Sequence, residues 1–172
     1  MNSIKIPLEP GVSEELRAGD EVLLTGTMYS ARDQAHARLV ALIENNQPLP
    51  LALENQVIYY MGPSPTPEGA VIGSCGPTTS SRMDPFTPAI LAEGVSGIIG
   101  KGPRSQAVID SLIREKAVYF YSFGGCGALY SQKIKEMTPV AFPDLGPEAI
   151  YKLVVEDFPV IVGIDSKGNS VF

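Results

Sequence analysis

The sequence predicts an α/β fold, because apolar segments typical of buried strands alternate with segments of helical periodicity. A predicted strand over residues 21–27 precedes a helix over 29–44, and a predicted strand over 95–102 precedes a helix over 105–116. The chain has 172 residues, which is enough for one domain with a sizeable core. We therefore expect a single domain over residues 1–172 with a mainly parallel or mixed sheet.

The first half of the chain contains three predicted strands and one long helix. The strands are apolar and rich in β-branched residues, and they cover residues 4–8, 21–27 and 56–62. The second of these strands is predicted to end at Gly26. Ser30, followed three residues later by Asp33, is the acidic form of a capping signature, so Ser30 is predicted to cap the first long helix.

The second half continues the alternation up to a predicted terminal hairpin. Its predicted strand segments cover residues 69–72, 95–102, 117–123, 139–142 and 159–165. Its predicted helices cover residues 84–94, 105–116 and 146–155, the last with Pro147 in its first turn. A turn over residues 166–169 is predicted to pair residues 170–172 with the last strand.

The charge pattern argues against a sequence-independent nucleic-acid binder. The formal net charge is −6, and Lys and Arg are scattered without a basic block. No long apolar segment follows the first residues, so we expect neither a signal peptide nor a membrane span. These patterns predict a cytoplasmic protein without nucleic-acid or membrane partners.

Both cysteines, Cys75 and Cys126, lie in glycine-rich loops and lack the C-x-x-C spacing of a zinc or redox site. Together with the one histidine, His36, they are too few for a metal centre, so no metal site is predicted in this chain. We interpret both as buried thiols rather than as a disulfide or as ligands. The two loops share the pattern Gly-x-Cys-Gly-x-x-x-Ser-x-Arg/Lys, with Lys133 in the place of Arg82, and we interpret this as one turn used twice.

The loop over residues 73–81 is the first candidate for a functional site. It follows the apolar residues 69–72, and its hydroxyl side chains are typical of a helix start with free backbone amides. Such a helix start attracts anions, and Arg82 adds a planar fork for a carboxylate or phosphate. The alternative is an ordinary capped turn between a strand and a helix.

Two further cations lie where predicted strands end. Arg32 is in the predicted first turn of a helix, where a cation opposes the helix dipole, so it either binds an anion or pairs with Asp33. Lys101 lies between two glycines at the end of a strand, where open α/β sheets bind ligands. His36 lies one helical turn after Arg32, and it either hydrogen-bonds into the site or has a structural role.

These cations, Arg32, Arg82 and Lys101, together with the hydroxyl of Thr78, predict a pocket for a small molecule with more than one negative charge. A dicarboxylate and a phosphate ester both meet that description. The sequence lacks a Walker loop, a G-x-G-x-x-G fingerprint and a recognisable Ser-His-Asp set. Motifs therefore give no support to a nucleotide-binding or triad-hydrolase function.

Four segments together resemble the β subunit, or carboxy-terminal domain, of class I fumarases and L-tartrate dehydratases. They are Gly26–His36, Gly76–Asp84, Gly100–Gly102 and Ala141–Ile150. The motifs are long, and the resemblance runs through nearly the whole chain. It implies a swivelling β/β/α domain that works with a separate α subunit, which carries a four-iron four-sulfur cluster and supplies a Lewis acid for the substrate hydroxyl.

The resemblance also implies roles for the candidate residues in a hydro-lyase that acts on malate, fumarate, tartrate or a related hydroxy-diacid. Arg32, Arg82 and His36 would contact the substrate, and Lys101 would bind it and stabilise added negative charge. Thr78 would be the proton-abstracting base, or would only hydrogen-bond the substrate while a carboxylate of the partner subunit moves the proton. We expect αβ pairs that form a higher oligomer.

Two other functions stay open at this point. One is a stand-alone module that binds dicarboxylates without a partner. The other is a non-catalytic assembly subunit whose cationic loops dock onto an acidic partner.

Overall fold

Seven strands form one mixed sheet in the part of the chain that the structure describes. The structure is a computed structural model that describes residues 2–62, 66, 68–73, 75–122 and 127–172. The strands are β1 (Asn2–Ile6), β2 (Glu21–Ser30), β3 (Val57–Tyr59), β4 (Gly97–Gly100), β5 (Val118–Tyr121), β6 (Ile134–Ala141) and β7 (Ile150–Ile164). The helices are α1 (Val12–Glu15), α2 (Asp33–Glu44), α3 (Thr87–Ala92), α4 (Gln106–Glu115) and α5 (Gly127–Lys133), with 3₁₀ helices over Ser80–Met83 and Pro143–Glu148. None of the described helices is both long enough and apolar enough to cross a membrane.

Strand β7 closes the sheet into a ring. Strands β1 to β5 are parallel neighbours in chain order, whereas β7 runs antiparallel to β2, β5 and β6. Residues 161–164 of β7 pair with β5, and residues 151–161 pair with β2. Since β2 also pairs with β3, the strands β2, β3, β4, β5 and β7 form a continuous ring. The predicted α/β class with a mixed sheet is confirmed.

The core has two layers because side chains alternate between the two faces of each strand. The first cluster takes buried residues from every strand of the ring, among them Met28, Tyr59, Ile99, Phe120 and Leu153. The second cluster joins the opposite strand faces to helices α2, α3 and α4, and it includes Ile58, Ile98, Leu39, Ile90 and Leu112. The helices are therefore held against the outside of the ring.

Strand β2 is longer than predicted, and this moves the start of helix α2. The strand continues past Gly26, because residues 26–30 pair with β7 after a bulge. Ser30 is therefore a strand residue, and the prediction that it caps the helix is wrong. Helix α2 begins at Asp33 with Arg32 at the N-cap position, where no side chain caps it.

The helix predicted over residues 146–155 is wrong. The chain forms a 3₁₀ helix up to Glu148 and then enters β7 at Ile150. Residues 151–155 pair with β2 on one side and β6 on the other. Strands β2 and β6 satisfy the backbone N–H and C=O groups of this apolar segment. This pairing with distant strands outweighs the local preference for a helix.

The strand segment predicted over residues 69–72 is also absent from the structure. Residues 68 and 69 form a turn, and the Val71 side chain is 46% exposed. The loop joins the sheet further along, through a β-bridge between Met61 and Pro77. An apolar run of this length forms a strand only where a neighbouring strand pairs with it, and no described strand does so here.

The other predicted elements are present with changed bounds: β6 and β7 begin earlier than predicted, at Ile134 and Ile150, and most of the others are shorter. Strands β4 and β5 lie within the segments predicted as 95–102 and 117–123, although Phe123 lies outside the described residues. Helix α4 matches its prediction, and the Ser105 hydroxyl accepts a hydrogen bond from the Val108 amide as its N-cap. The terminal hairpin is reduced to one bridge between Ile164 and Ser170.

Replacing Gly26 by alanine should destabilise the chain much more than replacing Gly19. Both glycines have positive φ, but a Cβ at Gly26 would overlap the carbonyl oxygen of Ile6, whereas a Cβ at Gly19 meets no atom within 4 Å. Backbone strain alone predicts a loss of about 1 kcal/mol for Gly19→Ala, and added steric overlap predicts about 3 kcal/mol or more for Gly26→Ala. Urea unfolding measures both free energies, and equal losses would contradict the close approach of β1 to β2.

Candidate functional site

The carboxyl ends of β2, β3 and β4 lie side by side, because these strands are parallel neighbours. Arg32 follows β2, Tyr60 follows β3 and Lys101 follows β4. The loop that precedes α3 returns across these ends. The Thr78 amide donates a hydrogen bond to the Tyr60 carbonyl (2.8 Å), and Thr79 forms a parallel bridge with Lys101. The predicted residues Arg32, Thr78 and Lys101 therefore gather at the edge of the sheet that is formed by the carboxyl ends of β2, β3 and β4.

Arg82 joins the site through an ion pair with helix α2. Its Nε and Nη2 atoms lie 3.0 and 2.7 Å from Oδ2 of Asp33. Asp33 therefore pairs with Arg82, and the alternative that it pairs with Arg32 is not what the structure shows. The Arg82 side chain is 52% exposed, so its guanidinium stays accessible to a ligand.

The Arg32 side chain lies against Gly62 and is only partly satisfied. A Cβ at Gly62 would overlap Nη1 of Arg32, so the guanidinium occupies the space that glycine leaves open. The Nε atom is buried and has no hydrogen-bond partner among the described residues. An unpaired buried donor costs free energy, and an acceptor from a bound anion would remove that cost. Arg32 thus has the position and the free donor of an anion-binding residue.

His36 lies beneath the site and is completely buried. Its ring contacts those of Tyr60 and Phe86, with centroids 5.2 and 6.3 Å away. Nδ1 lies 2.7 Å from the Arg32 carbonyl, which can only accept, so Nδ1 carries the hydrogen and Nε2 is an acceptor without a described partner. Burial lowers the His36 pKa to about 4, so the ring is neutral at pH 7. Its hydrogen bond orients Arg32, and a direct contact with substrate stays a prediction.

Two backbone amides of the loop bind carbonyl groups of the fold. The Thr78 amide is bonded to Tyr60, and the Ser80 amide donates to the Lys101 carbonyl (3.1 Å). The 3₁₀ helix after them has four residues. The expectation of free amides at a helix start is therefore wrong for these two residues. The cationic side chains are therefore the candidate anion-binding groups at this edge.

Sequence reasoning missed Arg104, whose side chain is fully buried beneath the same edge. Its Nε donates to Oδ1 of Asp84 (2.7 Å), and its Nη2 donates to the hydroxyls of Thr87 (2.7 Å) and Tyr60 (3.2 Å). Burial opposes its charge, but Tyr60 and Asp84 raise the pKa of Arg104. Arg104 stands next to the helix cap Ser105 in the sequence, where no periodicity marks a buried charge.

Cys75 is a buried thiol, as predicted. Its amide donates to the Gly127 carbonyl (3.2 Å), which brings the two glycine-rich loops into contact. Burial raises the pKa of the thiol to about 12, so the reactive thiolate is suppressed. Cys126 lies outside the described residues, as do parts of both glycine-rich loops.

The described residues do not fit an iron–sulfur cluster. In the described ranges, no three His, Cys, Asp or Glu side chains converge closely enough to hold a metal ion. Thiolates are the usual ligands of such clusters, and Cys75 is held as a thiol in contact with Gly127.

An α/β domain whose strand ends carry clustered cations is a scaffold for binding small anions. Residues 4–172 match the family model described as fumarase C-terminus, and the chain belongs to this family. It is 39% identical to fumarate hydratase 2 of Leishmania major over 99% of the chain and 31% of that protein. It is 44% identical to the aerobic class I fumarate hydratase of Escherichia coli strain K12 over 87% of the chain and 28% of that protein.

A shorter relative matches over most of its own length. The chain is 32% identical to the L(+)-tartrate dehydratase subunit beta of Escherichia coli strain K12, over 96% of the chain and 83% of that subunit. By contrast, the chain spans about three tenths of the fumarate hydratases that it matches.

Lowering the pH from 6.5 to 4 should destabilise the chain through His36. The histidine pKa is about 4 in the folded chain, against an ordinary value of 6.5, so the unfolded chain binds more protons between these values. The stabilisation is fully present above pH 6.5 and is lost as the pH falls towards 4, with a size on the order of 3 kcal/mol. Urea unfolding across this range should give a flatter pH profile for His36→Gln than for the wild type. Parallel profiles would contradict this role.

Proposed function

We propose that the chain is the β component of a hydro-lyase that reversibly adds or removes water on a small hydroxy-dicarboxylate. Malate and fumarate are the first candidates, and tartrate or oxaloacetate is next. The observation that carries the proposal is the gathering of Arg32, Arg82 and Lys101 at one strand edge beside Thr78. Family membership and the names of the relatives support the reaction class.

The charge of the site suits a ligand with two carboxylates. The chain as a whole carries a formal charge of −6, yet three cationic side chains lie at this edge, and among the described residues only one carboxylate, that of Asp33, is paired with them. Arginine forks bind carboxylates with geometric specificity. Arg32 has a buried Nε without a described partner, and Arg82 has a half-exposed guanidinium. We propose that each arginine binds one of the two carboxylates.

Removal of water breaks a C–H bond next to one carboxylate and a C–O bond on the neighbouring carbon. The electron pair of the C–H bond becomes the second bond of the alkene, the proton goes to a base, and the hydroxyl leaves as water after protonation. Negative charge builds on the carboxylate next to the C–H bond as the proton leaves. In this proposal Lys101 stabilises that charge, and the arginines hold both carboxylates in the reactive orientation.

Thr78 is the candidate base in this chain. A threonine hydroxyl is a weak acid, so its alkoxide needs strong stabilisation. The Thr78 and Ser80 amides are already bonded, so the proposal assigns this stabilisation to Lys101 and the arginines. The rival assignment gives Thr78 a hydrogen bond to substrate and leaves proton transfer to a carboxylate of the partner.

A partner α subunit is proposed to hold the four-iron four-sulfur cluster. The described residues lack a ligand set for it, and one relative of similar length is named a subunit beta. We infer that αβ pairs assemble so that this cationic edge faces the partner.

Anaerobic affinity purification of the tagged chain from its native cells tests the proposal. We expect a co-purifying protein with iron and sulfide, and a change in fumarate absorbance on addition of malate or fumarate. A lone, iron-free chain that binds malate by calorimetry would instead indicate a stand-alone binding module. Conservative changes at Arg32 and Arg82 that weaken assembly but not turnover would indicate an assembly subunit.

Arg82→Lys should lower kcat/KM at least about tenfold although the charge is kept, because lysine cannot form the planar fork. Arg38→Lys is the matched control. Arg38 also pairs with an aspartate, Asp144, but on an exposed part of helix α2. Steady-state kinetics of both variants in the assembled enzyme measure the difference. Unchanged constants in Arg82→Lys would remove Arg82 from the site.

Thr78→Ser should keep part of the activity, whereas Thr78→Ala should lose most of the turnover but retain substrate binding. Serine keeps a hydroxyl at the same position, and alanine removes it. Turnover is followed by fumarate absorbance and binding by malate calorimetry on the assembled enzyme. Near-normal turnover in Thr78→Ala would rule out Thr78 as the base.

A further inference from the structure

A hydrogen-bond network of Ser80, Tyr119 and Gly102 lies directly beneath Lys101, and the Arg104 guanidinium packs against the Tyr119 ring. We propose that Tyr119 and Arg104 are positioning residues, which fix Lys101 and the loop carrying Thr78 and Arg82. The inference rests on the proposed function for the roles of those three residues. The network itself is a property of the fold.

The direction of each hydrogen bond follows from the donors available. The Tyr119 hydroxyl lies 2.8 Å from both the Ser80 hydroxyl and the Gly102 carbonyl. A phenol has one hydrogen and a carbonyl can only accept, so Tyr119 donates to Gly102 and accepts from Ser80. The Ser80 oxygen in turn accepts from the Lys101 amide (3.0 Å).

This chain of bonds holds the backbone on both sides of the Lys101 side chain. The amide of Lys101 is fixed by Ser80, and the carbonyl of the next residue, Gly102, is fixed by Tyr119. The Ser80 amide returns a bond to the Lys101 carbonyl. A Cβ at Gly100 would overlap the Ser80 hydroxyl oxygen, so the loop lies directly on the end of β4. Ser80 and Tyr119 therefore fix the backbone from which the Lys101 side chain extends.

Arg104 holds the two aromatic residues of this region in place. Its guanidinium carbon lies 5.2 Å from the ring centre of Tyr60 and 5.0 Å from that of Tyr119. The same side chain pairs with Asp84, two residues after Arg82. Tyr60 also carries the carbonyl that binds the Thr78 amide. Arg104 thus connects the supports of Thr78, Arg82 and Lys101.

Stability alone does not call for a charge at this position. An apolar side chain of similar volume often stabilises a core as well as a buried ion pair does. A buried arginine with directional bonds to three side chains does supply geometric specificity. Positioning is therefore the role that explains both the burial and the charge.

Tyr119→Phe tests the network, with Tyr151→Phe as the matched control. Each change removes a hydroxyl that donates to a glycine carbonyl, Gly102 for Tyr119 and Gly146 for Tyr151. Hydrogen exchange on the purified protein should show the Lys101 amide exchanging about fivefold faster or more in Tyr119→Phe only. Equal exchange in the two variants would overturn the network, whatever the reaction is.

Kinetics of the assembled enzyme test the positioning role. Tyr119→Phe should lower kcat about tenfold to hundredfold with little change in KM, because a displaced Lys101 acts mainly on the charge that develops during reaction. Arg104→Met should lose activity in the same way, and Arg104→Lys should recover part of it. Normal kcat in both Tyr119→Phe and Arg104→Met would overturn the proposal. A wild-type assembly without hydro-lyase activity would defeat the proposed function, and the exchange experiment would still decide the network.

Discussion

Closure of the sheet by β7 is the constraint on which the rest of the molecule depends. An open strand edge leaves backbone N–H and C=O groups unpaired, and β7 pairs with β2 and β5 at once. The parallel strands between them are therefore fixed in register on both sides. Their carboxyl ends form a rigid edge, and the candidate site is made of the residues that follow those ends.

The backbone and the side chains of the site have separate tasks. The amides of Thr78 and Ser80 bind carbonyls of neighbouring strands and hold the loop on the sheet. The positive charge of the site comes from arginine and lysine side chains, although the net charge of the whole chain is −6. An anion bound at this edge would meet arginine and lysine side chains attached to a fixed backbone. Such preorganisation lowers the entropy that binding has to overcome.

The candidate cations and the order of most elements could be predicted because their signals are local. A charged residue between glycines after an apolar run, as at Lys101, is visible in a few letters of sequence. Arg82 and Asp33 are 49 positions apart, and their pairing depends on sheet order, which no local pattern contains. The burial of Arg104 could not be predicted for the same reason, because no local pattern contains the packing that buries it. Pro147 in a first turn favours a helix over residues 146–155, and only the strands beside β7 decide between a helix and a strand there.

Gly62 contributes no chemical group, yet the place of Arg32 depends on it. Any side chain at position 62 would overlap the Arg32 guanidinium. The position of Arg32 therefore depends on residue 62, because a substitution there displaces the arginine side chain without altering the arginine itself. Arg32 can therefore be displaced from the candidate site by a substitution at a position that contributes no chemical group to it.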